Sequence, residues 1–247
     1  MDKRWIMAYN AALGEVSDVA HALFPVCYEW PANRALREVT GLQALNAQLV
    51  HAQHDLTIHR KVKEEELVVA GKVVAVAQRK PGTMVVLRFT ARDANGEAVS
   101  TTDYGMLYRG VALEGGVRAI ASAEDPPPHS GELKRLGDVP VAATAAHVYT
   151  ECARIWNPIH TDVAYARAAG LPGIILHGTA TLALSVSRAL KSFGMMPSQV
   201  RRVRCRFAGM VLMPSVLSVF ASAEGTGLAF ETRNERGEAV IERGWIG

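Results

Sequence analysis

The chain has 247 residues, which is enough for one large domain or two small ones. Hydrophobic residues make up 49% of it, so a substantial core is expected and a largely disordered chain is excluded. The formal net charge of +3 is too small to indicate nucleic-acid binding.

The cysteines and the apolar segments bear on the cellular compartment. Three cysteines lie far apart, at positions 27, 152 and 205, without any C-x-x-C spacing. This pattern gives little support to a disulfide framework or a zinc site and favours a reducing cytoplasm. No long apolar stretch follows the charged residues 2–4, so no secretory signal is expected. Residues 207–223 are uncharged but interrupted by Pro214, which predicts two buried strands rather than a membrane span.

The first half of the chain predicts one helix followed by strands. We expect an irregular layer over residues 1–31 that covers the core. Leucines and a valine recur at helical spacing between positions 34 and 49, which predicts a helix over this range. Asn95-Gly96 is a strong hairpin signal. Four strand-like runs follow the helix, at residues 51–59, 67–78, 84–93 and 98–108.

The first strand-like run contains three histidines, His51, His54 and His59. Alternate side chains of a strand point to opposite faces, and two of these spacings are odd, so the three cannot all share one face. We therefore interpret them as surface or interface residues rather than as a metal site.

A linker is predicted over residues 122–146. Three consecutive prolines, at positions 126–128, and the pair Ser130-Gly131 interrupt any regular structure there. This places one structural unit at residues 1–121 and a second at residues 147–247.

The second unit begins with a mixed segment that ends at a turn. Residues 149–155 are predicted to form a strand, and Asn157-Pro158 starts the turn. Asp162 is placed to open a short helix that Gly170 ends.

A longer helix is predicted from Gly178 to about residue 191. It is rich in small side chains, which let a helix lie close to a sheet. The free N–H groups of its first turn suit an anion or a developing oxyanion. We expect His160, on the preceding turn, to face the same space, although a histidine there could also only brace the turn. Strands are then predicted at residues 200–207, 216–223, 228–233 and 239–246.

An internal repeat links the two units. Residues 89–99 align without gaps on residues 230–240, and the Phe, Arg, Gly, Glu, Ala and Val positions are identical. Each half also has the same order of one helix and then several strands. The chain is therefore predicted to hold two related units.

The run Asn157-Pro158-Ile159-His160-Thr161-Asp162, followed by His177-Gly178, resembles the motif of MaoC-like (R)-specific enoyl-CoA hydratases. The resemblance implies an α+β double hotdog, in which each repeat is an antiparallel sheet wrapped around a central helix. The second unit carries the motif, so the first unit is expected to shape an acyl pocket, with residues 24–30 as a candidate lining.

The resemblance also implies roles for individual residues. His160 is the expected acid or base, Asn157 belongs to the catalytic set, and the Gly178 N–H is the expected oxyanion donor. Ile155, Asp162 and His177 are assigned to substrate binding, with His177 bracing the loop that enters the helix.

The implied substrate is an acyl-CoA thioester. Coenzyme A then enters as part of the substrate, and no separate cofactor or metal is expected. We expect assembly as a homodimer or a heteromeric hotdog complex, and neither nucleic acid nor membrane as a partner.

One position departs from the family pattern. Ile155 stands where the family has a catalytic Asp, and isoleucine cannot transfer a proton or orient water. Glu151 and Asp162 are near in sequence but not at the matching position. Carboxylates of the first half can reach the site only by tertiary contact; the candidates are Glu29, Asp55 and Asp103.

Three functions therefore stay open. The first is a hydratase or dehydratase with an altered partner for His160. The second is a non-catalytic protein that binds acyl groups or pairs with an active subunit. The third is a hotdog thioesterase, which the absence of Asp and Glu between positions 163 and 223 disfavours.

Overall fold

The computed structural model describes residues 1–116, 118–119 and 125–247. The boundary predicted between residues 121 and 122 lies outside the described residues. The helices of the described chain are α1 (Lys3–Ala12), α2 (Pro25–Val39), α3 (Ala145–Ala153), α4 (Val163–Ala168) and α5 (Gly178–Ser192). The strands are β1 (Leu49–Ile58), β2 (Val68–Arg79), β3 (Gly82–Arg92), β4 (Ala98–Arg109), β5 (Arg118–Ala119), β6 (Lys134–Val141), β7 (Arg202–Phe207), β8 (Ser215–Glu224), β9 (Gly227–Arg233) and β10 (Ala239–Ile246).

All these strands belong to one antiparallel sheet with the order β5-β2-β3-β4-β1-β7-β10-β9-β8-β6. The order from β1 outward in the first half mirrors the order from β7 outward in the second. In the first half α2 packs on β2 and β3, and in the second half α5 packs on β6, β8 and β9. The α+β double hotdog is confirmed, with β1 and β7 pairing where the halves meet.

The repeated hairpins have the same hydrogen bonds. In the first, the Asp93 N–H donates to Glu97 O at 3.0 Å and the Gly96 N–H donates to Asp93 O at 2.9 Å. In the second, the Asn234 N–H donates to Glu238 O and the Gly237 N–H to Asn234 O, both at 2.9 Å. The side chains of Asp93 and Asn234 each accept two further backbone N–H groups. The sequence repeat is therefore a structural repeat.

The central helix of the second half is α5, as predicted. Its small residues Ala180, Ala183 and Ala189 are buried. Ser185 Oγ accepts a hydrogen bond of 2.7 Å from Thr232 on β9, which is possible because the helix lies close to the sheet. Apart from the segment 149–155, the predicted strands and the short helix α4 also occur, with bounds within a few residues.

Two predictions about the first 49 residues are wrong. Residues 1–31 are not irregular, because they contain α1 and the start of α2. The helix predicted over 34–49 is α2 only as far as Val39. Gly41 then adopts a left-handed conformation, with φ of 73°, which interrupts the helix before a 3₁₀ segment and β1.

The strand predicted at residues 149–155 is also wrong. This segment belongs to α3, whose buried residues Ala146, Tyr149, Thr150 and Ala153 recur at helical spacing. Arg154 ends the helix in the left-handed conformation, with φ of 59°. A short apolar segment does not distinguish a strand from one face of a helix by pattern alone.

The histidines of β1 correct another prediction. His59 is exposed and bonds Thr101 Oγ1 at 2.9 Å, but His54 is completely buried and His51 is partly buried. A β-bulge between His51 and Gln53 shifts the register against β4. The extra residue breaks the alternation of faces, so His51 and His54 lie on one face despite their odd spacing.

The predicted linker contains regular structure in its second half. Residues 134–141 form β6, an edge strand paired with β8. Pro140 and Gly137 are tolerated in this strand because an edge strand has one unpaired side. Among the described residues, no helix has the length and apolar character needed to cross a membrane.

Candidate functional site

The turn before α4 is held by its own polar residues. Asn157 Oδ1 faces the Ile159 N–H at 3.5 Å, and the Asn157 carbonyl accepts from the His160 N–H at 3.1 Å. Asp162 Oδ1 accepts from the Tyr165 N–H at 3.0 Å and caps α4. The exposed Asp162 therefore has the capping role. These contacts fix the backbone on both sides of His160.

The imidazole of His160 is oriented by a backbone acceptor. Its Nδ1 lies 2.8 Å from Ile175 O, and because a carbonyl only accepts, Nδ1 carries the proton. Nε2 then keeps its lone pair. The side chain is buried, and burial lowers the pKa of His160 to about 4. The ring is therefore neutral at physiological pH and has the form of a general base.

His177 joins this turn to the start of α5. Its ring stacks on the His160 ring with centroids 3.6 Å apart and planes 24° apart. Its Nε2 lies 3.3 Å from Ile155 O and 3.3 Å from Thr150 Oγ1. Burial, and then the neighbouring His160, lower the pKa of His177 well below 6.5. Two neutral imidazoles therefore lie together at the entry to the helix.

Gly178 is the first residue of α5, after His177. A Cβ added to it would lie 3.3 Å from the Phe207 ring of β7, so the backbone approaches that ring closely. The first-turn N–H groups of a helix have no acceptor within the helix and suit a developing negative charge. The shared cleft of His160 and the Gly178 N–H stays a prediction.

Two tyrosines and a threonine adjoin this histidine pair. The Tyr149 hydroxyl donates to Thr179 Oγ1 at 3.1 Å and lies 3.3 Å from the Tyr9 hydroxyl. The Tyr149 ring is 4.9 Å from the His177 ring. The sequence pattern does not reveal these hydroxyls, because the segment 149–155 also fits a strand. The helical spacing of Ala146, Tyr149 and Ala153 is the signal that places Tyr149 inside.

Ile155 lies beside the histidines and contributes no polar side-chain atom. Its side chain is 5% exposed and belongs to the main core, and its carbonyl contacts His177 Nε2.

The candidate carboxylates of the first half have different surroundings. Asp55 is paired with Arg202 at 2.6 Å, and Asp103 is paired with Arg88 at 2.6 Å, and both pairs are partly exposed. Glu29 is completely buried. It accepts hydrogen bonds from Thr102 Oγ1 at 2.6 Å and from the Tyr104 hydroxyl at 2.7 Å.

Burial raises the pKa of Glu29 to about 7, although the hydrogen bonds from Thr102 and Tyr104 favour the charged form. Glu29 thus differs from Asp55 and Asp103 in being completely buried, and it has no cationic partner among the described residues. Within the described part of the chain, no group of three or more His, Cys, Asp or Glu residues is arranged to hold a metal ion.

Comparisons with known proteins agree with this architecture. Residues 127–243 match the MaoC-like domain, and residues 8–102 match the FAS1-like dehydratase domain region. The peroxisomal multifunctional enzyme type 2 of Mus musculus is 25% identical over 87% of this chain and 29% of its own length. Enoyl-CoA hydratase 2, peroxisomal, of Arabidopsis thaliana is 22% identical over 83% of this chain and 70% of its own.

A solved structure has the same fold over the whole chain. The MaoC-like dehydratase of Phytophthora capsici has a TM-score of 0.86 at 18% identity, covering 100% of this chain and 92% of that one. Fold and motif together define a double-hotdog protein with a histidine at the entry to its central helix. Residues 127–243 form a MaoC-like domain, and residues 8–102 form a FAS1-like dehydratase region. The chain spans less than a third of the mouse enzyme.

Proposed function

We propose that this protein is a hydro-lyase that hydrates enoyl-CoA thioesters or dehydrates the corresponding 3-hydroxyacyl-CoA. The observation that carries the proposal is the neutral, backbone-oriented imidazole of His160 stacked on His177 at the start of α5. The enoyl-CoA hydratase name of the Arabidopsis relative supports the substrate class. Coenzyme A enters as part of the substrate, and the proposal needs no separate cofactor.

The proposed reaction uses His160 as the proton carrier. Nε2 takes a proton from water as the water oxygen forms a bond to C3 of the enoyl chain. The electrons of the double bond move to the thioester oxygen, where the Gly178 N–H stabilises the negative charge. The imidazolium then returns its proton to C2, which completes the addition of water. Dehydration is the reverse of these steps.

Ile155 sets the expected strength of this activity. An isoleucine places an apolar wall where the family has a carboxylate, so one group that orients water is missing. General acid or base groups contribute about 10²- to 10⁴-fold to a rate. We therefore expect slow hydration of a short substrate such as crotonyl-CoA.

Two substitutions at this position test the proposal. Ile155→Asp should raise crotonyl-CoA hydration at least about tenfold if only the carboxylate is missing. Ile155→Asn is the matched control, because it has nearly the same shape and cannot exchange a proton. Absorbance of the enoyl thioester measures the rate, and thermal unfolding shows whether the buried polar group has disrupted the fold. Fast hydration by the natural protein that Ile155→Asp reduces would contradict this role for position 155.

A non-catalytic acyl-binding or partner-subunit role is the second candidate, and Ile155 favours it. A natural protein and an Ile155→Asp variant that both bind acyl-CoA in calorimetry without hydrating any enoyl-CoA would establish it. A thioesterase is less favoured, and release of free coenzyme A thiol from acyl-CoA would reveal it.

The proposal also assigns a separate role to each of three parts of the chain. Residues 147–247 carry the site, residues 122–146 connect the units, and residues 1–121 shape the acyl pocket. A homodimer or a heteromeric hotdog complex is the proposed assembly. The cytoplasmic location stays a prediction, since the mouse and Arabidopsis relatives are peroxisomal by name.

A further inference from the structure

The β-bulge of β1 brings two histidines together on the inner face of the first half. The His51 and His54 rings are 5.6 Å apart between centroids, in an edge-to-face arrangement. Gly105 of β4 lies opposite the bulge, and a Cβ there would lie 2.8 Å from the Gln53 Cβ. The bulge therefore fixes the positions of the two histidines. The residue opposite it on β4 is a glycine, where a larger side chain would clash with Gln53.

Tyr104 connects this histidine pair to Glu29. The Tyr104 ring is stacked on His51 with centroids 5.2 Å apart, and it meets the edge of His54 at 5.0 Å. The Tyr104 hydroxyl donates its proton to Glu29 Oε2 and therefore does not donate to either histidine. On the other side of β1, His54 pairs with Cys205 of β7.

Three of the four ring nitrogens of His51 and His54 have no hydrogen-bond partner among the described residues. Among the residues that the structure describes, none hydrogen-bonds to Nδ1 or Nε2 of His54 or to Nε2 of His51. His54 is 0% exposed. A buried polar group without a partner is costly, and most buried polar atoms in native proteins have a hydrogen-bond partner. Burial also lowers the pKa of both histidines, so each ring is neutral. Both nitrogens of His54 are open to a ligand, whereas His51 bonds the backbone of Gln53 and offers only Nε2.

The histidine pair lies close to the start of α5. The His51 ring is 4.6 Å from the Phe207 ring. The same Phe207 ring would be 3.3 Å from a Cβ on Gly178. A single aromatic ring thus separates the histidines from the helix start where the thioester is proposed to bind. An acyl chain that passes Phe207 would reach His51 and His54 beyond its reacting carbons.

We propose that His51 and His54 form the polar end of the acyl pocket and bind a hydroxyl or keto oxygen carried by the acyl chain. The inference rests on the proposed function and names its substrate class. Neutral imidazoles match a neutral oxygen, which accepts from one ring and, as a hydroxyl, donates to the other. A carboxylate is a poorer match, because it would be buried against neutral rings and near Glu29.

Binding of unreactive ligands tests the inference. The probes are saturated acyl-CoA thioesters of one chain length, either unsubstituted or hydroxylated at successive carbons along the chain. Isothermal calorimetry with the full chain should show one hydroxyl position that lowers Kd about tenfold, as expected for a buried hydrogen bond of about 1.4 kcal/mol. Equal Kd values, or tighter binding of the unsubstituted chain, would overturn the inference and leave the proposed function standing. Failure to bind any acyl-CoA would overturn both.

Three variants assign the preference to the histidines. His54→Leu should abolish the hydroxyl preference, whereas His54→Gln should retain most of it. His59→Leu, at an exposed position of the same segment, is the control and should bind like the natural protein. A preference that survives in His54→Leu would contradict the assignment. Because His54→Leu removes unpartnered polar atoms, its melting temperature should not fall, and a marked fall would show instead that His54 serves the fold.

Discussion

The two halves share a sheet order and a hairpin but place their polar groups differently. In the second half, His160 and His177 lie at the entry to the central helix. In the first half, the buried polar groups lie on the inner face of the sheet and in the middle of α2, where Glu29 meets Tyr104. The same architecture therefore places polar groups at the start of the central helix in the second half and on the inner face of the sheet in the first half.

The starts of the two central helices explain this difference. The helix α2 begins at Pro25, which has no N–H, and it follows the completely buried Phe24. The helix α5 begins at Gly178, whose N–H lies in the first turn. The start of α2 is therefore poorly suited to stabilising an oxyanion, because Pro25 has no N–H to donate and Phe24 is an apolar ring. This contrast supports the proposal that the first half binds the acyl chain and the second half carries the catalytic groups.

The largest expected effect comes from removing the base of the second half. His160→Ala should lower enoyl-CoA hydration by about a thousandfold, because the proton carrier is lost. Progress of hydration is followed by loss of the enoyl absorbance, with His59→Ala as a control on an exposed histidine of the first half. If His59→Ala and His160→Ala lose equal activity, the assignment of chemistry to the second half fails.

Acid should destabilise both halves. Burial lowers the pKa of His21, His51 and His160 from 6.5 to about 4. The unfolded chain binds protons on these groups below pH 6.5 and the folded chain does not, so stability falls as the pH falls from 6.5 toward 4. A fully buried histidine contributes on the order of 3 kcal/mol to this loss. Urea unfolding across this range measures the slope, and a flat profile would contradict the neutral, buried state of the rings.

Glu29 should give the opposite pH dependence in the first half. Its pKa is raised from 4.5 to about 7, so the folded protein keeps a proton that the unfolded chain has released. Its favourable contribution is complete below pH 4.5 and is lost as the pH rises through 7, by on the order of 3 kcal/mol. Glu29→Gln mimics the protonated form and removes this loss.

The difference in unfolding free energy between Glu29→Gln and the natural protein isolates Glu29 from the histidines. It should move in favour of Glu29→Gln between about pH 5 and about pH 8. A difference that does not change with pH would show that Glu29 is ionised throughout.

The smallest effect compares the two hairpins directly. Gly96 and Gly237 have φ of 83° and 77°, a left-handed conformation that alanine adopts at a cost of about 1–2 kcal/mol. Gly96→Ala and Gly237→Ala should therefore destabilise the protein by similar amounts, measured by urea unfolding. The double variant should give the sum within about 0.5 kcal/mol, because the sites are independent. Clearly unequal losses of unfolding free energy would show that the two repeated hairpins contribute differently to stability.

Much of the fold was predictable because its signals are local. Strand-like runs between turn signals indicate the strands, Asn95-Gly96 indicates a hairpin, and the motif around His160 locates the entry to α5. Tyr149 was assigned to a strand because a segment of seven residues fits both periods. The bulge at His51–Gln53 has no local signal, since it is defined by register against β4. The burial of Glu29 depends on Thr102 and Tyr104, more than seventy residues away in the chain.

The pairing of β1 with β7 has a consequence for synthesis. Arg202 bonds Asp55 across this junction although 147 residues of chain separate them. During translation β1 is therefore made long before β7, and it presents an open strand edge until β7 arrives. Open edges promote association between chains, and contacts between distant segments form slowly. The interval between β1 and β7 is the period in which a nascent chain most needs chaperone protection.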